Sequence, residues 1–415
     1  MSNPDNRKIS IIAPHLSSGG AKYLSALLTA MIKRKPYYDI TIYEDIKLPY
    51  AIDLIKSDLL PLGVKIVKLR SLLEFKEKRK SRITFINNII NNYRRRRHHR
   101  RHLTLLKLQE TDLLFCPWPY DYDCPKVNMP IVCITHDFNY MHHFGMNIYE
   151  FAHALNIKKQ HENWLHKAAP IVSTNFIANE LRKSFPLLAK EINVVPLSKL
   201  TDFKRLDDSK VDKILHELGI NYDFVLTANN NTYHKNYNLL YAGYYYFKQK
   251  YPRIKLIMVG LGTENIQGVC NSPNYIDLFK EEYDVRGFGQ VDDEILIALI
   301  QRAKMVINPS LYEAGNGSGL DAWGLGTPVV MSNIEPFIEQ MNILGVKAQT
   351  FDPKDARDIA KAMGKILEYP NQTQKNVDDS LVAMGNYTWD HVAQQYINVF
   401  EKAIKEYKRY KVNLQ

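Results

Sequence analysis

The chain has 415 residues, 45% of them hydrophobic and 24% charged, the balance of a folded chain of about two to three domains rather than a disordered one. Four cysteines (Cys116, Cys124, Cys133, Cys270) show no CxxC or zinc-like spacing, and no apolar run approaches the ~18 residues of a membrane span. A disulfide scaffold, a metal site and a membrane-spanning protein are therefore set aside, and the polar start MSNPDNRKIS reads as cytoplasmic rather than secreted. Basic residues exceed acidic ones by 11, and the whole excess lies between Lys76 and Lys107, where twelve basic residues accompany one acid, Glu77.

In chain order, short apolar runs predict strands at 8–14, 39–43, 64–69, 112–116, 131–135, 171–174 and 192–195. Helical periodicity fills the gap at 21–33, with Leu24, Leu27, Leu28 and Met31 on one face. Within the basic stretch, Arg94, Arg95, Arg96, Arg97, Arg100 and Arg101 lie among Ile83, Phe85, Ile86, Ile89 and Ile90. Cations beside an apolar stripe fit an anionic membrane surface better than nucleic acid, for which no accompanying module is present. A polar linker is expected at 198–210. Strands then resume at 223–227, 255–259, 283–287, 305–308 and 328–331, with helices at 239–248 and 292–302 and a charged amphipathic helix at 391–411. Alternating strands and helices mean parallel sheets covered on both faces: an α/β chain of two doubly wound Rossmann-like domains facing a cleft. The expected division is 1–200 and 201–388, with a final helix at about 389–415 crossing back to the first domain.

Several motifs fall where such strands end. Gly19-Gly20 lies between a strand and a helix start, where backbone amides can hold a phosphate. His136-Asp137 closes the strand at 131–135, where the histidine can donate to a sugar hydroxyl or a phosphate. Thr232-Tyr-His234-Lys235-Asn236 precedes a helix and offers a cation for a diphosphate. Ser310 to Asp321 carries Glu313 and Asp321 on either side of a glycine-rich loop, Ala314-Gly315-Asn316-Gly317, and Ser318-x-x-Asp321 reads as a capping box. Gly260-Leu-Gly262 lacks the third glycine of a dinucleotide turn, and Asp121-Tyr-Asp123 is read as structural rather than metal-binding.

Together these segments resemble the family 4 glycosyltransferases of the GT-B fold. The likeness runs through Gly19-Gly20, His136-Asp137, Val172–Asn175, Val194–Pro196, His234-Lys235-Asn236, Val259-Gly260, Phe288–Asp293, Pro309–Glu313 through Asp321, Gly326–Val329 and Tyr387–Trp389. The resemblance implies retaining, metal-independent transfer of a hexose from a nucleotide-sugar to an acceptor hydroxyl, with no cofactor. By the same resemblance, His136, Lys235 and Glu313 are the catalytic set: Lys235 neutralises the diphosphate, His136 bonds the transferred sugar and Glu313 holds its hydroxyls. Gly19, Gly20, Asn229, His234, Gly315, Asn316, Gly317 and Asp321 line the donor site, Asp321 at the ribose. Three departures stand out: Asn229 replaces the usual arginine six residues before the lysine, Asp321 replaces the second glutamate, and Ala-Gly-Asn-Gly-Ser follows Glu313. The donor sugar leans to mannose from GDP-mannose and the acceptor to a lipid-linked or surface polysaccharide, on the inner face of the cell membrane. The alternative is a catalytically weak, sugar-nucleotide-binding partner subunit.

Overall fold

A computed structural model describes residues 7–13, 18–45, 52, 55–69, 111–119, 124–125, 127–142, 148–187, 191–199, 204–265 and 284–412. The basic stretch with Arg94–Arg97, Arg100 and Arg101, the Asp121–Asp123 pair and Cys270 lie outside these residues. Among the described residues the first sheet has seven parallel strands in the order β3-β2-β1-β4-β5-β6-β7. They are β1 Arg7–Ile12, β2 Tyr38–Asp45, β3 Lys65–Leu69, β4 Leu113–Cys116, β5 Ile131–Ile134, β6 Ala169–Val172 and β7 Asn193–Val194. Among the described residues the second sheet has six, in the order β10-β9-β8-β11-β12-β13, all parallel. These are β8 Phe224–Ala228, β9 Lys255–Val259, β10 Val285–Gly287, β11 Met305–Asn308, β12 Val329–Ser332 and β13 Gln349–Phe351.

The central strands β4, β5, β11 and β12 are buried at every residue. Their runs LLFC, IVCI, MVIN and VVMS are near-continuously apolar because both faces of a parallel sheet are covered by helices. In each sheet the strand order reverses direction once, between β1 and β4 and between β8 and β11, which are the switch points where open α/β sheets leave a crevice at the strands' carboxyl ends.

The helix Ser18–Arg34 buries Leu24, Leu27, Leu28 and Met31 against the first sheet. The last helix, Trp389–Val412, packs on the same core through Val392, Tyr396, Phe400 and Ile404, a four-residue stripe. Each such side chain contributes about 1.5–3 kcal/mol on burial. Tyr23 and Tyr396 share a hydroxyl–hydroxyl bond of 2.8 Å, and Trp389 donates its indole N–H to the Lys199 carbonyl at 2.8 Å. Ser198 likewise donates to the Tyr387 carbonyl at 2.9 Å. The two chain crossings between the sheets, near residues 198 and 388, are thus tied to each other.

Two details differ from the sequence reading. The helix Asp208–Glu217 begins inside the expected linker, since its charged first turn (Asp207, Asp208) is a helix start rather than a coil. Strand β13 has no sequence counterpart: it is three residues long, and Gln349 and Thr350 are only half-buried at the sheet edge, so it carries no apolar run.

Candidate active site

Beyond β8 the chain makes a helical turn, Tyr233–Lys235, then reverses at Asn236 with φ 58°, a left-handed conformation that asparagine tolerates better than most residues. The Asn236 side chain donates to the carbonyls of Pro309 (3.1 Å) and Pro353 (2.8 Å), pinning this turn to the loops after β11 and β13. Lys235 is thereby aimed across the switch point at Glu313, and the two form a direct ion pair with side chains 17% and 14% exposed. Ser310 Oγ donates to the same Glu313 oxygen at 2.7 Å, and the Asn308 amide oxygen receives both the Ser310 N–H (3.2 Å) and a contact with its hydroxyl (2.6 Å).

The glycine-rich loop after Glu313 divides into two kinds of residue. Gly315 and Gly317 are part-exposed. Asn316 is fully buried: its N–H goes to Gln340 Oε1 (2.7 Å), its Nδ2 to Met331 Sδ (3.2 Å), and its Oδ1 accepts from Asn308 and from the Gly319 N–H, both at 2.9 Å. Asn316 is therefore the N-cap of the helix Gly317–Leu325, and the donor-binding role expected for its backbone amide is corrected to a structural one, since that N–H is donated to Gln340. The capping box at Ser318 is corrected for the same reason, since Ser318 lies inside the first turn. Asp321 is 8% exposed within this helix.

Asn229 follows β8 and is also 8% exposed, its Nδ2 donating to Thr227 at 3.3 Å and its carbonyl accepting from Tyr237 Oη at 2.5 Å. Gly260, with φ 131°, passes so close to the Asn229 carbonyl that a Cβ there would overlap it. The Gly260-Leu-Gly262 turn is thus a close backbone approach that fixes Asn229.

Facing these groups are the carboxyl ends of the first sheet. Gly19 and Gly20 fall in the first turn of the helix Ser18–Arg34, and a Cβ on Gly19 would meet nothing within 4 Å. His136 follows β5. Its Nε2 lies 2.7 Å from the Pro117 carbonyl, which can only accept, so Nε2 carries the proton. Burial lowers the imidazole to about 4 despite that bond. His136 is therefore neutral at pH 7 and presents Nδ1 as an acceptor, which corrects the expectation that it donates to a sugar or phosphate. Trp118 tilts over its ring at 4.9 Å. The neighbouring Asp137 carboxyl is raised to about 6, first by burial and also by the charges of Glu313 and Glu180, against the Asn139 amide and Lys235.

The two sides touch. His234 Nδ1 accepts from Asn139 Nδ2 at 3.0 Å, and burial lowers its imidazole to about 4. Ser173 donates to the Ala314 carbonyl at 2.8 Å, and Lys22 pairs with Asp293. Glu339 reaches from the second half to the Asn175 (2.5 Å) and Phe176 (2.9 Å) amides that open the helix Asn175–Ser184. The structure thus brings Lys235, Glu313, His234 and Asn229 to one wall of a cleft, with His136, Asp137, Gly19 and Gly20 on its opposite wall. Ser310, Asn308, Tyr312 and Glu180 were not singled out from sequence. Ser310 and Tyr312 stand inside the Pro309–Glu313 motif, which was the available signal, whereas nothing local marks Glu180.

Two Rossmann-like sheets presenting their switch points to one cleft, with a lysine and a glutamate between them, define the GT-B architecture. Residues 211–380 match the family model of "Glycosyl transferases group 1". The MMP alpha-(1->4)-mannosyltransferase of Mycolicibacterium hassiacum is 31% identical over 115 residues, 28% of this chain and 28% of that protein. The aligned stretch thus spans less than a third of that relative's length. Among solved structures, a glycosyltransferase from Rickettsia africae superposes with a TM-score of 0.69 at 14% identity, covering 96% of this chain and 99% of the other. Anabaena HepE in complex with UDP and glucose superposes with a TM-score of 0.64 at 14% identity, covering 95% and 100%. At such identities these structures share the fold.

Proposed function

We propose that the chain transfers a hexose from a nucleotide-sugar to an acceptor hydroxyl, with retention and without a metal ion. The observation that carries this reading is the Lys235–Glu313 pair at the β8/β11 switch point, opposite Gly19, Gly20 and His136. A developing diphosphate charge is worth most to a fixed ammonium in a water-poor cleft. On donor binding Lys235 exchanges the Glu313 carboxylate for the phosphates, and Glu313, still held by Ser310, accepts from sugar hydroxyls. Neutral His136 accepts a sugar hydroxyl at Nδ1. The part-exposed amides of Gly315 and Gly317, with those of Gly19 and Gly20, supply the remaining donors to the anion. Asp321, buried in its helix, takes the ribose.

The donor is assigned as GDP-mannose, in keeping with the mannosyltransferase named among the relatives; the UDP and glucose held by HepE make UDP-glucose the competing donor. The acceptor is a lipid-linked or surface polysaccharide, reached from the inner membrane face through Arg94–Arg97, Arg100 and Arg101. Among the described residues no helix is long and apolar enough to cross a membrane. One observation favours a second reading, a catalytically weak partner subunit: Asn229 stands where the family has a cation.

Thermal melting against UDP-, GDP-, ADP- and dTDP-sugars, with Lys235→Ala alongside, tests the proposal. A donor at a hundredfold excess over its dissociation constant stabilises by about 2.7 kcal/mol. A rise with one donor class, lost in Lys235→Ala, supports the assigned site. If no donor raises the melting temperature, an independently competent donor site is refuted and the reading moves to a subunit that acts only with a partner transferase. Loss of anionic-vesicle binding on changing the six arginines to Gln tests the membrane patch.

A further inference from the structure

Tyr312 belongs to the second half by sequence, yet its side chain is 4% exposed within the apolar cluster of the first half, beside Phe138, Leu181 and Val172. Its hydroxyl donates to Glu180 on the helix Asn175–Ser184 and accepts the Phe138 N–H at 2.9 Å. Its ring lies 4.2 Å from the His142 ring and 5.9 Å from Phe176, and His142 bonds the other Glu180 oxygen at 2.8 Å. Two residues on, the Ala314 carbonyl accepts from Ser173, again in the first half. Between these anchors Glu313 turns the other way, to Lys235 and Ser310 of the second half. Tyr312 and Ala314 bind one wall of the cleft while Glu313 faces the other.

We propose that Tyr312 is a positioning residue: seating it in the first half's core is what sets the Glu313 loop in its reactive place, so that the carboxylate is aligned only when the halves are together. The inference rests on glycosyl transfer as the function, since Glu313 is aligned toward the donor sugar. A residue that merely filled space would not need a hydroxyl held by both a carboxylate and an amide. It would also have no reason to be joined by a second tether just beyond Glu313.

The test compares Tyr312→Phe, which keeps the ring, with Tyr312→Ala in the full chain. With the donor that raises the melting temperature, kcat is expected to fall about tenfold in Tyr312→Phe, which loses the hydroxyl's bonds to the Glu180 carboxylate and the Phe138 N–H. A further fall of about tenfold is expected in Tyr312→Ala, where the ring's packing is lost as well. Acceptor KM stays within about twofold, because neither Tyr312 nor Glu313 is placed against the acceptor. A purely structural role would instead lower the melting temperature while leaving kcat per folded molecule unchanged. If Tyr312→Ala does not fold, Tyr312→Phe alone decides, and a kcat within about twofold of the native chain overturns the proposal. If the native chain transfers no sugar at all, the functional reading fails separately. Small-angle scattering of the unliganded proteins then reads the seating: an unchanged radius of gyration in the Tyr312 variants overturns it, and an increase supports it.

Discussion

Replacing Lys235 by Met separates what the Lys235–Glu313 pair does for the fold from what it does for chemistry. Glu313 is 14% exposed, so removing the ammonium leaves a largely buried carboxylate whose charge no cation balances. Breaking a fully buried pair from one side costs about 3–5 kcal/mol. Here residual solvent contact and the 2.7 Å bond from Ser310 offset part of that, leaving about 2 kcal/mol. At 2–4 °C per kcal/mol for domains of 150–250 residues, melting should drop by about 4–8 °C. Adding Glu313→Gln removes the orphaned charge, so the double variant should recover more than half of that drop, with a coupling of about 1–2 kcal/mol in the cycle. Transfer should behave differently. Loss of the cation costs about 10²–10³ in kcat, and the double variant does not regain it, because the diphosphate still lacks its counter-charge. The assays are differential scanning calorimetry and steady-state transfer on all four proteins. Melting of Lys235→Met at the native temperature would refute the energetic argument. Recovery of transfer in the double variant would refute the catalytic one, reducing Lys235 to a neutraliser of Glu313.

The fold should be acid-labile in a definite window. His136 and His234 are lowered by burial to about 4 and His161 to about 3, so between pH 6.5 and 4 the unfolded chain binds protons that the native chain refuses, and stability falls as pH falls. Asp137, raised to about 6, acts in the opposite direction between pH 4 and 6. Three imidazoles against one carboxyl leave a net slope of about 2–3 kcal/mol per pH unit near pH 5, and denaturant titrations at pH 7, 6 and 5 that show no loss would contradict it. At Asn236, Asn236→Gly keeps the left-handed turn but loses the bonds to Pro309 and Pro353, whereas Asn236→Ala loses both. Unfolding free energies should order native, Gly, Ala, with Gly about 1–2 kcal/mol below native and Ala about 1 kcal/mol lower still. An alanine variant as stable as the native chain would show that the turn is not held by this residue.

Much of the architecture was legible because parallel strands are buried on both faces. LLFC, IVCI and MVIN can be little else between helical segments, and their ends locate the cleft. Short edge elements were not legible, since Gln349–Phe351 buries only Phe351 and so has no pattern to read. In the site, position along the chain was readable but the state of each group was not. His136 could be placed at a strand end, yet its tautomer depends on the Pro117 carbonyl, nineteen residues away in sequence. Asn316 looked like part of a ligand loop because small polar residues surround it. Its burial is set by Gln340 and Met331, on elements that sequence spacing does not connect to it. Glu180 was invisible for the same reason: its partner Tyr312 lies 132 residues on.

The charge balance of the cleft explains how a donor site can do without an arginine at Asn229. Asp137 is raised first by its burial, and the charges of Glu313 and Glu180 add to that against Lys235, so the cleft already holds several carboxylates around one lysine. A nucleoside diphosphate adds further negative charge there. Binding it by cations alone would require more than Lys235, which begins in a pair with Glu313. Backbone amides can supply the difference without placing another buried charge beside Lys235. The helix opening at Ser18 offers them from one wall, and Gly315 and Gly317 offer them from the other. Amide donors are effective only when the two walls are correctly spaced, whereas a flexible arginine tolerates error. On this account the contacts between the halves, from His234–Asn139 to Ser173–Ala314, are as much a part of the proposed donor site as the lysine itself.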